Sequence, residues 1–315
     1  MHLMGWAAGG YLDHQNTIAR PVSTEGIGLH TGVTVHVRLL PAPSGTGIIF
    51  KRIDLDGFPI KARAKNVTRV SYATSLMRKG VLISTTEHLL SALAASRVDN
   101  AFIEIDNLEV PIMDGSALPF LRLIQEAGLK RQRAGRSWAK ILKPVEVVEG
   151  RKRIAVYPAD DFRITYRIVF DHPVIGEQER SFSLNASGYE RGIAPARTFG
   201  FIDEVEMLRK SGLVRGGSLE NAIVLTRIGV MNPEGLRFPD EFCRHKILDL
   251  IGDLVMFGRP LLGHVVADRA GHAMHIALVS RLLREKSAWK LVRSSRAVPA
   301  ESCNKAPAIA ASPAS

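Results

Sequence analysis

The sequence predicts an α+β protein built from two like halves, each a set of strands with two helices. Three observations carry this. Alternation of apolar and polar residues marks strands, as in VTVHVRLL (33–40) and DNAFIEID (99–106). Apolar ridges recurring at the helical period mark helices, as in 84–98 and 240–253. Between two sets of such segments lies a basic, polar stretch, KRQRAGRSWAK (130–140), which is the candidate linker.

Taken in order, the first half holds the strand at 33–40, a helix over STTEHLLSALAASRV (84–98), the strand in 99–106 and a helix over LPFLRLIQEAGL (118–129) ending near Gly128. The second half opens with VEVVEG, RIAVYP and FRITYRIVF, three strand patterns followed by a turn at DHP (171–173). A short helix is expected over 201–211, ending at Gly212, with Gly216 and Gly217 in a loop. AIVLT reads as a strand and 240–253 as a helix. HVVADRAGHAMHIALVSRLL gives a strand, a glycine turn and a last helix. Residues 1–16 read as a loose leader, and the Ala/Pro/Ser-rich tail after Arg296 as disordered, giving expected domains of 17–136 and 137–296 and a tail of 297–315.

The bulk composition narrows the function classes. Of 315 residues, 46% are hydrophobic and 23% charged, an ordinary globular composition, and no apolar run reaches membrane-span length. The two cysteines, Cys243 and Cys303, are far apart, so a disulfide framework is not expected and a reducing cytoplasm fits. The formal net charge of +11 suits an anionic partner, and a generally basic proteome explains it equally well. Its densest runs, at 130–136 and 151–153, lack interleaved aromatics, so a nucleic-acid partner is not expected.

The chemistry concentrates in DEFCRHKILDLIGD (240–253). At 100° per residue, Asp249 lies about 40° and Asp253 about 80° round from His245, away from a ridge of Ile247, Leu250, Ile251, Leu254 and Val255. His245 and Asp249 are one turn apart and can share a ligand, as two histidines do in HExxH helices. A solvated polar face would show the same spacing. A catalytic metal needs a third protein ligand, and His88 in STTEHLL is the candidate. Its neighbour Glu87 then points elsewhere, free to act as a base. Ser84 and Glu87 also fit a capping box, with Glu87 folded back on the helix start. His272, in AGHAMH, is a candidate general acid or a satisfied loop histidine; His275 reads more simply as core or surface. Thr198, in the loop ARTFGF, offers a hydroxyl to an oxyanion or caps a turn.

Seven segments occur in a fixed order: TEGIGLHTG (24–32), STTEHLLSAL (84–93), DNAFIEID (99–106), VPIMDGSALPF (110–120), ARTFGF (196–201), GLRFPDEFCRHKILDLIGD (235–253) and GHA (271–273). On these the sequence resembles the UDP-3-O-acyl-N-acetylglucosamine deacetylases over about residues 17–296, and the pairing of EHL with RHKxxD is the specific part. The resemblance implies two domains of like topology packed as an α/β sandwich with small inserts, the site lying between them. It implies Zn²⁺, with Fe²⁺ also admitted by the donor set, held by His88, His245 and Asp249. It implies Glu87 as general base, His272 as general acid oriented by Asp253, and Thr198 at the oxyanion. It implies Lys246 beside the reacting group and Phe199 and Gly217 at the substrate. An insert at about 200–217 would form an apolar passage for the acyl chain. The implied activity is removal of the N-acetyl group from UDP-3-O-(3-hydroxyacyl)-N-acetylglucosamine, the committed step of lipid A synthesis. The enzyme would be a cytoplasmic monomer with no transmembrane segment, touching the inner membrane surface transiently. A zinc hydrolase of some other amide, or a non-catalytic binder of nucleic acid or lipid, are the rival readings.

Overall fold

The computed structural model describes residues 14–293. Two sheets form its outer layers. The first has the strand order Val22–Ile27, Thr34–Pro41, Ala101–Ile105, Ile48–Arg52, Phe58–Lys61, and is antiparallel except where Ile48–Arg52 runs parallel to Ala101–Ile105. The second sheet centres on Leu261–Asp268, which pairs with Lys152–Tyr157, Phe162–Val169 and Ser137–Ile141. Val145–Glu149, Glu177–Ser183 and Trp289–Arg293 extend it.

Among the described residues the helices are α1 (Glu87–Ala95), α2 (Leu118–Ala127), α3 (Ala186–Gly192), α4 (Ile202–Lys210), α5 (Glu241–Leu254) and α6 (His272–Arg284). α2 packs on the first sheet, while α5 and α6 pack on the second. α1 lies against both α2 and α5, and so joins the layers. The result is a sheet–helix–sheet sandwich, the expected α+β class, with one hydrophobic core running through it.

The α1–α5 contact is unusually close. Gly252 faces the backbone of Glu87, and a Cβ there would sit 2.1 Å from the Glu87 carbonyl oxygen. Only a residue without a side chain lets the two helix backbones approach this far. Both helices are consequently buried nearly all round. The polar stripe of α5 is therefore no solvated face: His245 and Asp249 are each 2% exposed and Asp253 is 0% exposed.

Several expectations need correction. The linker candidate is ordered structure: Leu129–Gly135 and Ser137–Ile141 are both strands. The first of these pairs antiparallel with His14–Ile18, so the last residues of the expected leader are also strand. Positive charge on the exposed positions Lys130, Arg131 and Arg133 of an edge strand reads, in sequence, like a solvated linker. The rest of the leader and the expected tail lie outside the described residues. The capping box does not form. Thr86, not Ser84, precedes the first turn of α1, and it makes no side-chain cap. The Glu87 carboxylate instead accepts from the Thr74 N–H at 3.1 Å. Thr85 holds a left-handed backbone (φ 57°) just before α1, tied down by its hydroxyl, which donates to buried Glu109.

Candidate metal centre and active site

The site is assembled where α1, α5 and α6 meet. α1 begins at Glu87 and brings it with His88; α5 brings His245, Asp249 and Asp253; α6 begins at His272. The ligand atoms of His88, His245 and Asp249 all lie within 4.8 Å of one another. Asp249 Oδ1 is 3.3 Å from His245 Nε2 and 3.7 Å from His88 Nε2. The two imidazoles meet edge to face, 5.0 Å between centroids.

The polar satisfaction of this trio is lopsided. His245 Nδ1 donates to the Ala196 carbonyl at 3.1 Å, which leaves Nε2 as a lone-pair acceptor facing Asp249. The Lys246 ammonium donates to Asp249 Oδ2 at 3.0 Å. Asp249 Oδ1 is buried and has no hydrogen-bond partner among the described residues. A bare carboxylate oxygen between two imidazoles is a costly arrangement unless a cation completes it. Burial pushes the His88 imidazolium down to about 3, helped by His245, and pushes His245 down too, so both rings are neutral donors at physiological pH. Asp249 stays ionised: burial opposes this, but His245, Lys246 and His272 more than offset it and hold the carboxyl well below its usual range. Two neutral imidazoles and one carboxylate with room beside them are a donor set that could hold a metal ion.

Across the trio stand Glu87 and His272, with His272 Nε2 3.9 Å from Glu87 Oε1 and 3.8 Å from Asp249 Oδ2. Burial pushes the Glu87 carboxyl up to about 8. Burial alone would lower His272, yet the Asp253 and Asp249 charges prevail and raise it to about 9. Asp253 faces His272 Nδ1 at 2.7 Å, His275 Nδ1 at 2.8 Å, and accepts from the Thr74 hydroxyl at 2.6 Å. His275, which its sequence context places in core or surface, is thus a buried member of this network. Burial lowers its pKa; its Nδ1 faces Asp253, and its Nε2 lies 2.9 Å from the Tyr166 hydroxyl, which itself donates to the Ala270 carbonyl at 2.8 Å. Thr74 and Tyr166 had no signal in the sequence, because each acts through a contact across the fold rather than through a motif.

Residues of the ARTFGF loop reach the centre through a buried ion pair. Arg197, 1% exposed, donates from its backbone N–H and from Nε to Glu241 Oε1 at 3.0 and 2.9 Å, on the first turn of α5. This fixes Ala196 over His245 and sets Thr198 and Phe199 on the lining of a cleft of ≈ 430 Å³. The Thr198 backbone is held by the Gly115 carbonyl at 2.8 Å. Phe199 packs edge-on to Phe242, 5.0 Å away, and lies 5.4 Å below the Lys246 ammonium. His88, His245, Asp249, Glu87, His272 and Lys246 line the same cleft. Asp253 is behind it. Gly217 is not on the lining; it sits beside Val214 and Leu29, which are.

Comparison with known proteins gives the family. The family model described as UDP-3-O-acyl N-acetylglycosamine deacetylase matches residues 15–284. The chain belongs to this family. Proteins named UDP-3-O-acyl-N-acetylglucosamine deacetylase are similar over nearly their whole lengths. The one from Solibacter usitatus is 52% identical over 88% of this chain and 94% of its own. The one from Myxococcus xanthus is 48% identical over 90% of each chain. The one from Neisseria meningitidis serogroup A is 47% identical over 88% of this chain and 92% of its own. Membership makes the chain a hydrolytic deacetylase. Among the described residues no helix is long and apolar enough to cross a membrane.

Proposed function

We propose that this enzyme hydrolyses the N-acetyl group of UDP-3-O-(3-hydroxyacyl)-N-acetylglucosamine to the free amine and acetate, the committed step of lipid A synthesis, and that it does so with Zn²⁺. The observation that carries the metal is the buried, unpartnered Asp249 Oδ1 flanked by two neutral imidazoles. His88, His245 and Asp249 would hold the ion. When bound it supplies a Lewis acid that polarises the acetyl carbonyl and makes a nearby water more acidic. Ligand type equally admits Fe²⁺.

The chain's own groups supply the rest. Glu87, anchored by the Thr74 N–H, takes the proton of the attacking water. The Thr198 hydroxyl, which makes no hydrogen bond among the described residues, donates to the oxyanion, a contribution of roughly 3 kcal/mol per donor in comparable acyl-transfer sites. His272, kept protonated by Asp253 and Asp249, gives its Nε2 proton to the departing sugar amine, which leaves poorly without it. Lys246 neutralises Asp249 and stands over Phe199, beside the reacting carbonyl.

The cleft fits an acylated nucleotide sugar. Val205 and Leu208 of α4, with Leu29, Val214 and Val224, give it an apolar side for the acyl chain, so the insert at 200–217 borders the passage. Gly217 contributes by letting Val214 pack close. Lys152 on the lining offers countercharge to a diphosphate. We place the reaction in the cytoplasm, on a monomer that touches the inner membrane surface transiently. A different amide substrate would use the same centre. Amine release should therefore be measured from UDP-3-O-(3-hydroxyacyl)-N-acetylglucosamine and, in parallel, from N-acetylated peptides and UDP-N-acetylglucosamine lacking the acyl chain. Turnover of the acylated nucleotide alone is expected; comparable or faster turnover of either control would overturn the substrate.

A further inference from the structure

A second cavity, of ≈ 120 Å³, shares no lining residue with the catalytic cleft. It lies between the later turns of α1 (Leu93, Ala94) and α5 (Ile251, Leu254), and is closed by Trp138 and Phe162 of the second sheet. Its walls are apolar, yet three guanidinium groups, from Arg63, Arg136 and Arg259, stand on its lining against one carboxylate, from Asp99.

These cations are short of partners. Arg136 is 5% exposed. Its Nε donates to Asp99 Oδ1 at 2.8 Å and its guanidinium lies 4.7 Å from the Trp138 ring, but its Nη1 is buried with no hydrogen-bond partner. The second oxygen of Asp99 accepts from the Asn16 N–H at 2.8 Å, and Arg136 Nη1 reaches neither oxygen. Arg63 is half-buried and lies over Gly258, where a Cβ would come within 1.8 Å of Arg63 Nη1. Among the described residues neither Arg63 nor Arg259 has a carboxylate or carbonyl partner. Burial, and then the charge of Arg259, lower the Arg63 pKa, as expected for two cations that face each other uncompensated.

An apolar chamber rimmed by guanidinium groups with unfilled donors selects one ligand chemistry. A free phosphate would leave the apolar walls unfilled, and a plain alkane or alcohol would leave Arg136 Nη1 and Arg63 unanswered. We propose that this cavity is a binding site for a short- to medium-chain fatty carboxylate, with its alkyl chain among Leu93, Ile251, Leu254 and Phe162 and its carboxylate on the guanidinium groups. Carboxylate and guanidinium match in plane and charge. The volume suits a chain of about six carbons, by comparison with an apolar cavity of about 150 Å³ that accepts benzene. The site stands whether or not the deacetylase reading holds, since none of its residues takes part in that chemistry.

The test uses the full, zinc-loaded chain and 6-bromohexanoate, whose bromine quenches a tryptophan it touches. Saturable quenching is expected, displaced by hexanoate and not by hexanol or inorganic phosphate at equal concentration. Trp138→Phe should abolish the saturable component; if that component survives, the ligand sits elsewhere and the proposal fails. The Arg63→Gln/Arg259→Gln pair, on the rim, should weaken binding about tenfold, the effect of losing charge-assisted hydrogen bonds. Ala94→Leu, which fills the chamber from α1, should weaken it independently. Unchanged affinity in both variants, or equal displacement by hexanol, would overturn the site.

Discussion

Glu87 is the residue on which two sequence readings competed, a helix cap and a general base. The structure removes the cap, since the carboxylate turns to the Thr74 N–H and into the cleft. Glu87→Gln should therefore leave folding and metal content intact while kcat falls about 10²- to 10⁴-fold, the usual worth of a positioned proton-transfer group. Near-normal turnover in that variant would take Glu87 out of the reaction. His272 carries a pH signature. Its pKa lies above the ordinary histidine value, so the protonated acid persists to about pH 9 and is lost as pH rises through that point. Activity should accordingly fall on the alkaline side near pH 9. Asp253→Asn removes the closest carboxylate, so the alkaline limb should move to lower pH; an unmoved limb in a pH–kcat/KM profile would show that another group sets it. His275 and Tyr166 hold Asp253 from behind, and act as positioning residues. Tyr166→Phe should cost about 1–3 kcal/mol of stability by loss of the hydroxyl's contacts with Ala270 and His275 and shift the same limb slightly, read by denaturant unfolding beside the pH profile.

At the scale of elements, the decisive feature is the contact of α1 with α5 at Gly252. It places Glu87 and His88 beside Asp249 and Asp253, joining parts of the chain more than 150 residues apart. Gly252→Ala drives a methyl into backbone that cannot yield as a side chain can, and should cost about 1–3 kcal/mol. It should also lower metal content, because His88 moves with α1. Full stability and full metal in that variant would contradict the close approach. The helices other than α3 were legible in sequence, α5 above all, because a complete apolar ridge and a polar stripe at four-residue steps admit one periodicity. The partnership between helices was not. His88 and His245 give no sign in spacing that they meet, and only the family resemblance joined them. The linker failed for a physical reason too: an exposed edge strand carrying Lys130, Arg131 and Arg133 has a solvated strand's alternation but a loop's polarity.

For the whole molecule, the sheet–helix–sheet sandwich puts ionisable groups in a nearly dry core, where each needs a partner. Arg197 has Glu241, and Asp253 has two histidines and Thr74. Asp249 Oδ1 has none. A bound ion that completes it stabilises the folded chain by mass action, about 4 kcal/mol when free metal exceeds its Kd a thousandfold. Chelation should therefore lower the thermal midpoint, and Asp249→Asn should make that midpoint insensitive to chelator. An equal chelator effect in wild type and Asp249→Asn would place the stabilising metal elsewhere.

The most direct measurement follows amine release from UDP-3-O-(3-hydroxyacyl)-N-acetylglucosamine, with metal content determined on the same samples. It would be made on the protein as purified, after chelation and after stoichiometric Zn²⁺ is restored. Activity that disappears with the metal and returns with it, in wild type but not in a His245→Ala chain, is the expected result. Undiminished activity in a chain shown to be free of metal would contradict the catalytic metal centre.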